Sequence, residues 1–238
     1  MNPASNLTER TVGDVVAADY RTAAVFEKHG VDFCCGGKDT ISAVCQAKGL
    51  DPARLVEELQ AVQVTPVARS ENYTAWSLSF LIDYIVNNHH SYVDENLSPI
   101  AGYAHKIAEV HGARHPELIE IAAIFDRLAA ALTQHLREEE AVFFPAVKRA
   151  EAARQAGNEP DAGDLETIRR MLEQFGPEHE EVGDAIHQIR HLSQGFVLPS
   201  DACNTYMLAY QKPKEFEDDI HKHVHLENNI LFPKSAAL

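Results

Sequence analysis

Two stretches of the chain, HLREEEAVFFP at residues 135–145 and HVHLENNILFP at residues 223–233, repeat one pattern. Each begins with a His that is followed four residues later by a Glu, and Phe and Pro then follow at matching offsets. A spacing of four residues places the imidazole and the carboxylate one turn apart on the same face of an α-helix, where both can reach one metal ion or two neighbouring ions. The repeat predicts two helices that each offer one His and one Glu to a metal.

The His and Glu of both stretches stand on apolar helical stripes, at positions where Leu would be expected. One stripe runs through Ile121, Phe125, Leu128 and Leu132 to His135 and Glu139, and the other runs through Phe216 and Ile220 to His223 and Glu227. A single inward His is commonly a hydrogen-bonded core residue. A buried carboxylate without a partner costs several kcal/mol or loses its charge, so the two Glu favour metal binding.

Four long stretches carry the period of an amphipathic helix, at residues 73–111, 115–155, 164–195 and 199–232. No stretch alternates like a strand, so we expect an all-α protein whose residues 73–238 form an up-down-up-down four-helix bundle. In the third stretch His179 keeps the register of the apolar stripe. In the first, both His89 and His90 fall on inward positions, and the pattern alone leaves the choice between them open.

The first 65 residues differ from the rest because turn signals divide them into short amphipathic pieces. Gly30 follows a predicted helix that ends near His29, and Asp51 with Pro52 is typical of a helix start. The segment VQVTPVARSEN at residues 62–72 loses helical periodicity. We therefore expect a small helical domain at residues 1–65 before the bundle.

The N-terminal region also contains the element Cys34-Cys35-Gly36-Gly37. The two glycines predict a tight turn, and Lys38-Asp39-Thr40 predicts the start of the next helix, so the thiols would lie near a positive helix end that favours thiolate. This arrangement suits a redox or iron-handling pair. The alternative is two small hydrophobic residues buried at a turn.

The predicted ligand set of four His and two Glu exceeds what one tetrahedral zinc ion takes, and structural zinc prefers thiolates. Two ions are implied, because a carboxylate can bridge neighbouring ions while imidazoles bind each ion terminally. Nitrogen-rich ligation favours iron over magnesium or calcium and leaves room for a small molecule such as dioxygen or nitric oxide. We expect a non-haem di-iron centre with two iron ions per chain.

The remaining His and Cys residues receive less specific interpretations. We expect a group of histidines on or beside polar faces to be solvated: His105, His187, His191, His221 and His225. His111 and His115, between the first two long helices, would be caps or loop contacts, with His111 open as a further ligand. Cys45 and Cys203 have no partner in the pattern and are expected to be structural.

Composition excludes several classes of partner. The chain has 21 Lys and Arg against 36 Asp and Glu, a formal net charge of −15, so it would repel nucleic acid and anionic lipid surfaces. No stretch approaches the roughly 20 apolar residues of a membrane helix, and the N-terminal MNPASNLTER has no apolar core of a signal peptide. Four cysteines in 238 residues form no disulfide framework. We expect a cytoplasmic protein.

The set His90, His135 with Glu139, His179, and His223 with Glu227 resembles the ligand pattern of hemerythrin-like domains. The resemblance selects His90 over His89, through LIDYIVNNHHSYVDENL at residues 81–97. It implies that the two Glu bridge the irons, with His90 and His135 on one side and His179 and His223 on the other. Unlike the oxygen carriers of this family, the third helix has no second His one turn after His179, which implies reactivity or iron loss.

Residues 14–51, DVVAADYRTAAVFEKHGVDFCCGGKDTISAVCQAKGLD, resemble the short domain that precedes the hemerythrin-like domain in the iron-sulfur cluster repair di-iron proteins, the RIC family. The resemblance implies a stress protein that restores clusters damaged by nitric oxide or peroxide by donating iron to damaged iron-sulfur proteins, with Cys34 and Cys35 as relay thiols. Nitric oxide or dioxygen binding, or nitric oxide reduction, is the alternative. Homodimer formation stays open.

Overall fold

The computed structural model describes residues 7–238, so the first six residues of the predicted domain 1–65 lie outside the described residues. No β-strand occurs from residue 7 onward, and a single bridge pairs Thr11 with Thr40. The all-α prediction is confirmed. Within these residues, no helix has the length and apolarity needed to cross a membrane.

Eleven α-helices follow one another along the described chain. They are α1 (Val12–Ala18), α2 (Ala23–Lys28), α3 (Ile41–Lys48), α4 (Pro52–Val62), α5 (Leu78–Tyr84), α6 (Ser91–His111), α7 (Glu117–Glu138), α8 (Phe144–Gln155), α9 (Ala162–Leu192), α10 (Asn204–Leu226) and α11 (Phe232–Ala236). Three π-helical segments, Ile85–His90, Glu139–Phe143 and Glu227–Leu231, join α5 to α6, α7 to α8 and α10 to α11. The four long helical stretches predicted from periodicity are therefore present.

The described chain forms two compact units. One comprises the residues up to Leu81 together with Val224–Ala237, and the other comprises Ile82–His223 with Leu238. The predicted division at residues 62–72 gives two domains that are each continuous in sequence. The first compact unit instead combines the N-terminal residues with Val224–Ala237. The domain limits 1–65 and 73–238 remain a prediction.

The first unit is built on short helices, three of which begin at side-chain caps. Thr11 accepts from the Asp14 N–H at the start of α1, and Thr40 accepts from the Ala43 N–H at the start of α3. Asp51 caps α4, which has Pro at its first position as the sequence predicts. Apolar side chains on these helices, including Phe26, are fully buried. These caps explain where α1, α3 and α4 begin.

The second unit is a bundle of long helices with an aromatic core. Phe125 of α7 packs edge-on against Phe216 of α10 at 5.8 Å between ring centroids. Phe143, from the π-helical segment after α7, meets Phe175 of α9 at 5.5 Å. Tyr92 of α6 stacks on Phe216 at 6.4 Å. These contacts hold all four long stretches around one interior, which is also where the polar ligands lie.

Candidate metal centre

Five of the predicted ligands lie together inside the second unit. His90, His135, Glu139, His179 and His223 are all buried, and Glu139 is completely shielded from solvent. They come from each of the four long helical stretches, which is why no one stretch of sequence could form the site alone. A buried polar cluster of this size in an apolar bundle requires compensation of its charge and hydrogen-bonding groups.

The cluster is organised as two groups that share Glu139. His90, Glu139 and His223 offer ligand atoms within 4.8 Å of one another, and so do His135, Glu139 and His179. The two carboxylate oxygens of Glu139 face different groups: Oε2 lies 3.3 Å from His90 Nε2, and Oε1 lies 3.5 Å from His135 Nε2. This is the geometry of a carboxylate that can bridge two ions.

The grouping corrects one expectation that the family resemblance implied. His90 was expected beside His135, and His179 beside His223. In the structure His90 pairs with His223, with 5.0 Å between ring centroids, and His179 Nε2 lies 3.0 Å from His135 Nε2. Helix order along the chain does not determine which neighbours face each other across the bundle.

The protonation states suit a cation. Burial opposes ionisation of Glu139, but the charges and hydrogen bonds of His135 and His90 outweigh it and hold the pKa of Glu139 well below its usual range. Burial, together with the charge of His90, lowers the pKa of His223 well below its ordinary value. An ionised carboxylate and a neutral imidazole are the forms that bind metal. The donor set therefore fits iron or a similar transition metal.

Carboxylates outside the cluster orient two of the imidazoles. His90 Nδ1 lies 2.7 Å from Glu140 Oε1, and His135 Nδ1 lies 2.6 Å from Glu178 Oε2, so each ring donates outward and turns its Nε2 inward. Gln174 donates to the other oxygen of Glu178 at 2.8 Å. The hydrogen bond from His135 lowers the pKa of Glu178. Such carboxylate–histidine pairs commonly fix the tautomer of metal ligands.

Sequence reasoning missed Glu140 and Glu178. Each directly adjoins a predicted ligand in the sequence, Glu140 after Glu139 and Glu178 before His179. That adjacency was the available signal. Helical periodicity assigns such neighbours to a polar face, where they carry no obvious role.

His89 and His90 are both buried, so the expectation that only one of them faces inward is wrong. His90 Nε2 faces Glu139, as described above. His89 Nδ1 instead lies 2.9 Å from Asp219 Oδ1, and its ring stacks parallel to that of His223 at 5.7 Å. Both belong to the π-helical segment Ile85–His90, whose wider turn brings adjacent residues closer to the same side than an α-helix does.

Glu227 is completely buried and begins the π-helical segment Glu227–Leu231, as Glu139 begins its own. It follows His223 by one turn in an uninterrupted helical stretch. By compactness it belongs to the first unit. Its part in metal binding remains a prediction that rests on the repeated sequence pattern.

The Cys34-Cys35 loop lies in the first unit, and its thiols differ from expectation. The hydrogen bond between Cys34 and Cys35, together with the burial of Cys34, raises the pKa of the Cys34 thiol well above its usual value. The expected thiolate is therefore not favoured there. The predicted turn at the two glycines is present, since the Asp39 N–H donates to the Gly36 carbonyl oxygen at 3.4 Å, and neither glycine adopts a positive φ angle. Gly37 also permits a close approach, since a Cβ atom there would lie 2.6 Å from the Phe33 carbonyl oxygen.

Two secondary expectations also change. His225, expected to be solvated, is fully buried and packs against the rings of Tyr20 and Phe33 at 5.5 and 5.9 Å. Cys203, expected to be structural, is exposed. Its Sγ lies 3.4 Å from His111 Nε2, so His111 makes a loop contact, as expected, and lies outside the two ligand groups.

Comparison with known proteins gives two family matches that together cover most of the chain. Residues 8–63 match the "Domain of Unknown function (DUF542)", and residues 81–235 match the "Hemerythrin HHE cation binding domain". The chain is 30% identical over 227 residues to the iron-sulfur cluster repair protein ScdA of Staphylococcus epidermidis, covering 95% of this chain and 97% of that protein. It is 31% identical over 226 residues to the iron-sulfur cluster repair protein YtfE of Yersinia pestis, covering 95% and 96%.

Proposed function

The chain belongs to the family of iron-sulfur cluster repair proteins that includes ScdA and YtfE, and we propose that it restores damaged clusters by donating iron from a labile di-iron centre. The centre is the buried histidine–carboxylate cluster. The recipients are iron-sulfur proteins damaged by nitric oxide or peroxide. Because Cys34 and Cys35 would act as reduced thiols, we place this activity in the cytoplasm.

The observation that carries the proposal is the position of Glu139 between two histidine groups. Its two oxygens face His90 and His135 separately, at 3.3 and 3.5 Å, and a carboxylate so placed supports two ions rather than one. The repeat of His and Glu in the fourth long stretch adds Glu227 as the second bridging carboxylate. We therefore propose two iron ions per chain, held by His90, His135, Glu139, His179, His223 and Glu227.

The residues around the cluster support release as well as binding. The ligands are imidazoles and carboxylates, which hold iron less firmly than thiolates hold softer ions. An imidazole that is not bound to an ion can accept a proton at Nε2. Glu140 is 46% exposed and Glu178 is 35% exposed, and they hydrogen bond to His90 and His135, so each can balance the new positive charge and connect the ring to solvent.

Two measurements test the proposal. Metal analysis with Mössbauer spectroscopy of protein from iron-replete cells should give two coupled irons per chain. The protein is then loaded with ⁵⁷Fe and incubated with a [4Fe–4S] enzyme inactivated by nitric oxide. We expect the label to enter the restored cluster. Reactivation without transfer of label, or one uncoupled iron per chain, would overturn iron donation from a di-iron centre.

A second candidate, capture or reduction of nitric oxide or binding of dioxygen, is favoured by the small number of protein donors. Six side chains shared by two ions leave coordination positions for a small ligand, since iron commonly takes up to six donors. Anaerobic addition of nitric oxide to the reduced protein separates the candidates. Stoichiometric retention indicates capture, release of nitrous oxide indicates reduction, and iron donation requires neither.

A further inference from the structure

Asp32, Cys34 and Cys35, in the first unit, form a group of converging ligand atoms separate from the histidine–carboxylate cluster. One carboxylate oxygen and the two Sγ atoms lie within 4.8 Å of one another. The Sγ atoms are 3.9 Å apart, and Cys34 Sγ is 3.2 Å from Asp32 Oδ1. Two thiolates bound to one tetrahedral ion at about 2.3 Å stand roughly 3.8 Å apart, so these side chains need little movement to share an ion.

We propose that Asp32, Cys34 and Cys35 form a second metal site, which takes a single divalent transition-metal ion. Its role rests on the proposed function, in which the ion is ferrous iron in transit. On binding, the two thiol S–H bonds break, two S–metal bonds and one O–metal bond form, and two protons pass to solvent. No electron is transferred in this step.

The loop is held in a shape that keeps the ligand atoms together before any ion arrives. Asp32 Oδ1 accepts hydrogen bonds from the backbone N–H groups of Cys34 and Cys35, at 2.9 and 3.0 Å. From the end of the chain, Asn228 Nδ2 donates to the Cys34 carbonyl and Asn229 Nδ2 donates to the Phe33 carbonyl, both at 3.2 Å. Because hydrogen bonds hold both the carbonyl and the amide groups of the loop, the loop loses little conformational entropy when it binds an ion.

The site suits exchange rather than storage. It offers three protein ligands, which leaves a fourth tetrahedral position for water or for a ligand from a recipient. Asp32 and Cys35 are partly exposed, whereas all five ligands in the bundle interior are buried. Adjacent cysteines close a disulfide only with strain, so shared metal binding is favoured over a disulfide switch.

The support of this loop also adjoins a candidate ligand of the di-iron centre. Asn228 and Asn229 directly follow Glu227, in the same π-helical segment Glu227–Leu231. The segment that carries Glu227 therefore also carries the contacts that hold the thiol loop.

Cobalt(II) titration of the reduced, iron-loaded full chain tests the site, because cobalt bound to thiolate gives a near-ultraviolet charge-transfer band that histidine and carboxylate ligands do not give. We expect the band to saturate at one equivalent. It should be lost in Cys34→Ser/Cys35→Ser and retained in Cys45→Ser and Cys203→Ser. Asp32→Asn keeps an acceptor for the two backbone N–H groups but removes the charge, so it should weaken affinity on the order of tenfold.

Absence of the band in the wild-type chain, or its persistence in the double variant, would overturn the site. Circular dichroism and iron content of the double variant serve as folding controls, and both should match the wild type. The result is independent of the di-iron proposal. A thiolate band in a chain that binds other than two irons would refute the di-iron centre and leave the thiol site standing. Two irons per chain without a thiolate band would refute only the thiol site.

Discussion

At the scale of single residues, Glu139 differs from the other proposed ligands of the second unit because it is completely buried and belongs to both histidine groups. Removing it should affect the centre differently from removing one His. We expect Glu139→Ala to abolish the magnetically coupled pair even where one iron remains, and His135→Ala or His223→Ala to lower the iron content. Mössbauer spectra and iron counts measure both effects.

The matched control for this prediction is His187→Ala, an exposed His on α9 outside the ligand groups. Its iron content should equal that of the wild type. A coupled signal that survives in Glu139→Ala would remove Glu139 from the bridge, and equal iron loss in His187→Ala would show that position on the apolar stripe does not define ligands.

The two adjacent histidines of the first long stretch give a second prediction. Because His90 Nε2 faces Glu139 while His89 Nδ1 is engaged by Asp219, we expect His90→Ala to lose iron and His89→Ala to retain two irons per chain. Both side chains are buried, so each variant controls for the packing loss in the other. Iron counting on the purified variants decides the assignment, and loss confined to His89→Ala would reverse it.

Some of these residues could be identified from sequence and others could not, for a physical reason. Glu139 was recognisable because a carboxylate on an apolar stripe is costly unless it is compensated. His225 was assigned to a polar face because its cover comes from Tyr20 and Phe33, some 200 residues earlier in the chain. Periodicity tells which face of a helix is buried within its own stretch, and it contains no information about a distant segment that covers the other face.

At the scale of elements, the three π-helical segments explain why periodicity left His89 and His90 undecided. Each segment contains or begins with a proposed ligand: His90, Glu139 and Glu227. A π-helical turn holds one more residue than an α-helical turn, so it shifts the register of everything that follows. A pattern that assumes 3.6 residues per turn locates the long helices correctly, but it gives the wrong register at the π-helical segments, where these proposed ligands lie.

The Cys34-Cys35 loop provides a prediction about close packing. A Cβ atom on Gly37 would lie 2.6 Å from the Phe33 carbonyl oxygen and 2.9 Å from Asn229 Oδ1, and the first of these is a backbone atom that cannot move freely. We expect Gly37→Ala to destabilise the protein by about 1–3 kcal/mol. Urea unfolding measures the change in free energy.

Gly102→Ala, in α6, is the control, because a Cβ atom there would meet nothing within 4 Å. Helix propensity predicts that it stabilises the chain by up to about 1 kcal/mol. Equal stability of Gly37→Ala and the wild type would mean that the loop is not tightly packed.

The contact between α2 and α4 gives a pH prediction. Hydrogen bonds from Lys28 and from His29, at 2.9 and 3.0 Å, lower the pKa of Glu58 to about 2. The pKa of Glu58 in the folded state is below its value in the unfolded chain, which is about 4.3. The contribution of the ionised Glu58 to the free energy of unfolding is therefore complete above about pH 4.3 and is lost as the pH falls toward 2. We expect Glu58→Gln to be less stable than the wild type at pH 7, and the difference in urea midpoint to shrink below pH 4.

The test compares the difference in urea midpoint between Glu58→Gln and the wild type at pH 7 and at pH 3. A difference between Glu58→Gln and the wild type that stays constant from pH 7 to pH 3 would show that the carboxylate charge contributes nothing. Because the group lies at the surface, added salt should reduce the difference at pH 7.

At the scale of the whole molecule, the division into compact units bears on how the two ends of the chain cooperate. Val224–Ala237 belongs to the unit that contains the Cys34-Cys35 loop, and Asn229 donates to the carbonyl of Phe33 within it. A fragment that begins at residue 73 would therefore lose the cover of His225 as well as the thiols. Truncation confounds folding with chemistry, and substitutions in the full chain are needed to separate them.

The double variant Cys34→Ser/Cys35→Ser in the full chain makes this separation. Every proposed ligand of the di-iron centre lies from residue 90 onward, so we expect the variant to bind two irons. We expect its repair of a nitric oxide-damaged cluster enzyme to fall, because ligands shielded in the bundle interior offer no thiol through which iron can pass outward. Reactivation of the recipient per iron released is the measurement, and Cys45→Ser, which removes a buried thiol of the same unit, is the matched control. Full repair by the double variant would mean that Cys34-Cys35-Gly36-Gly37 serves only to pack against Asn229, and that the histidine–carboxylate centre delivers iron unaided.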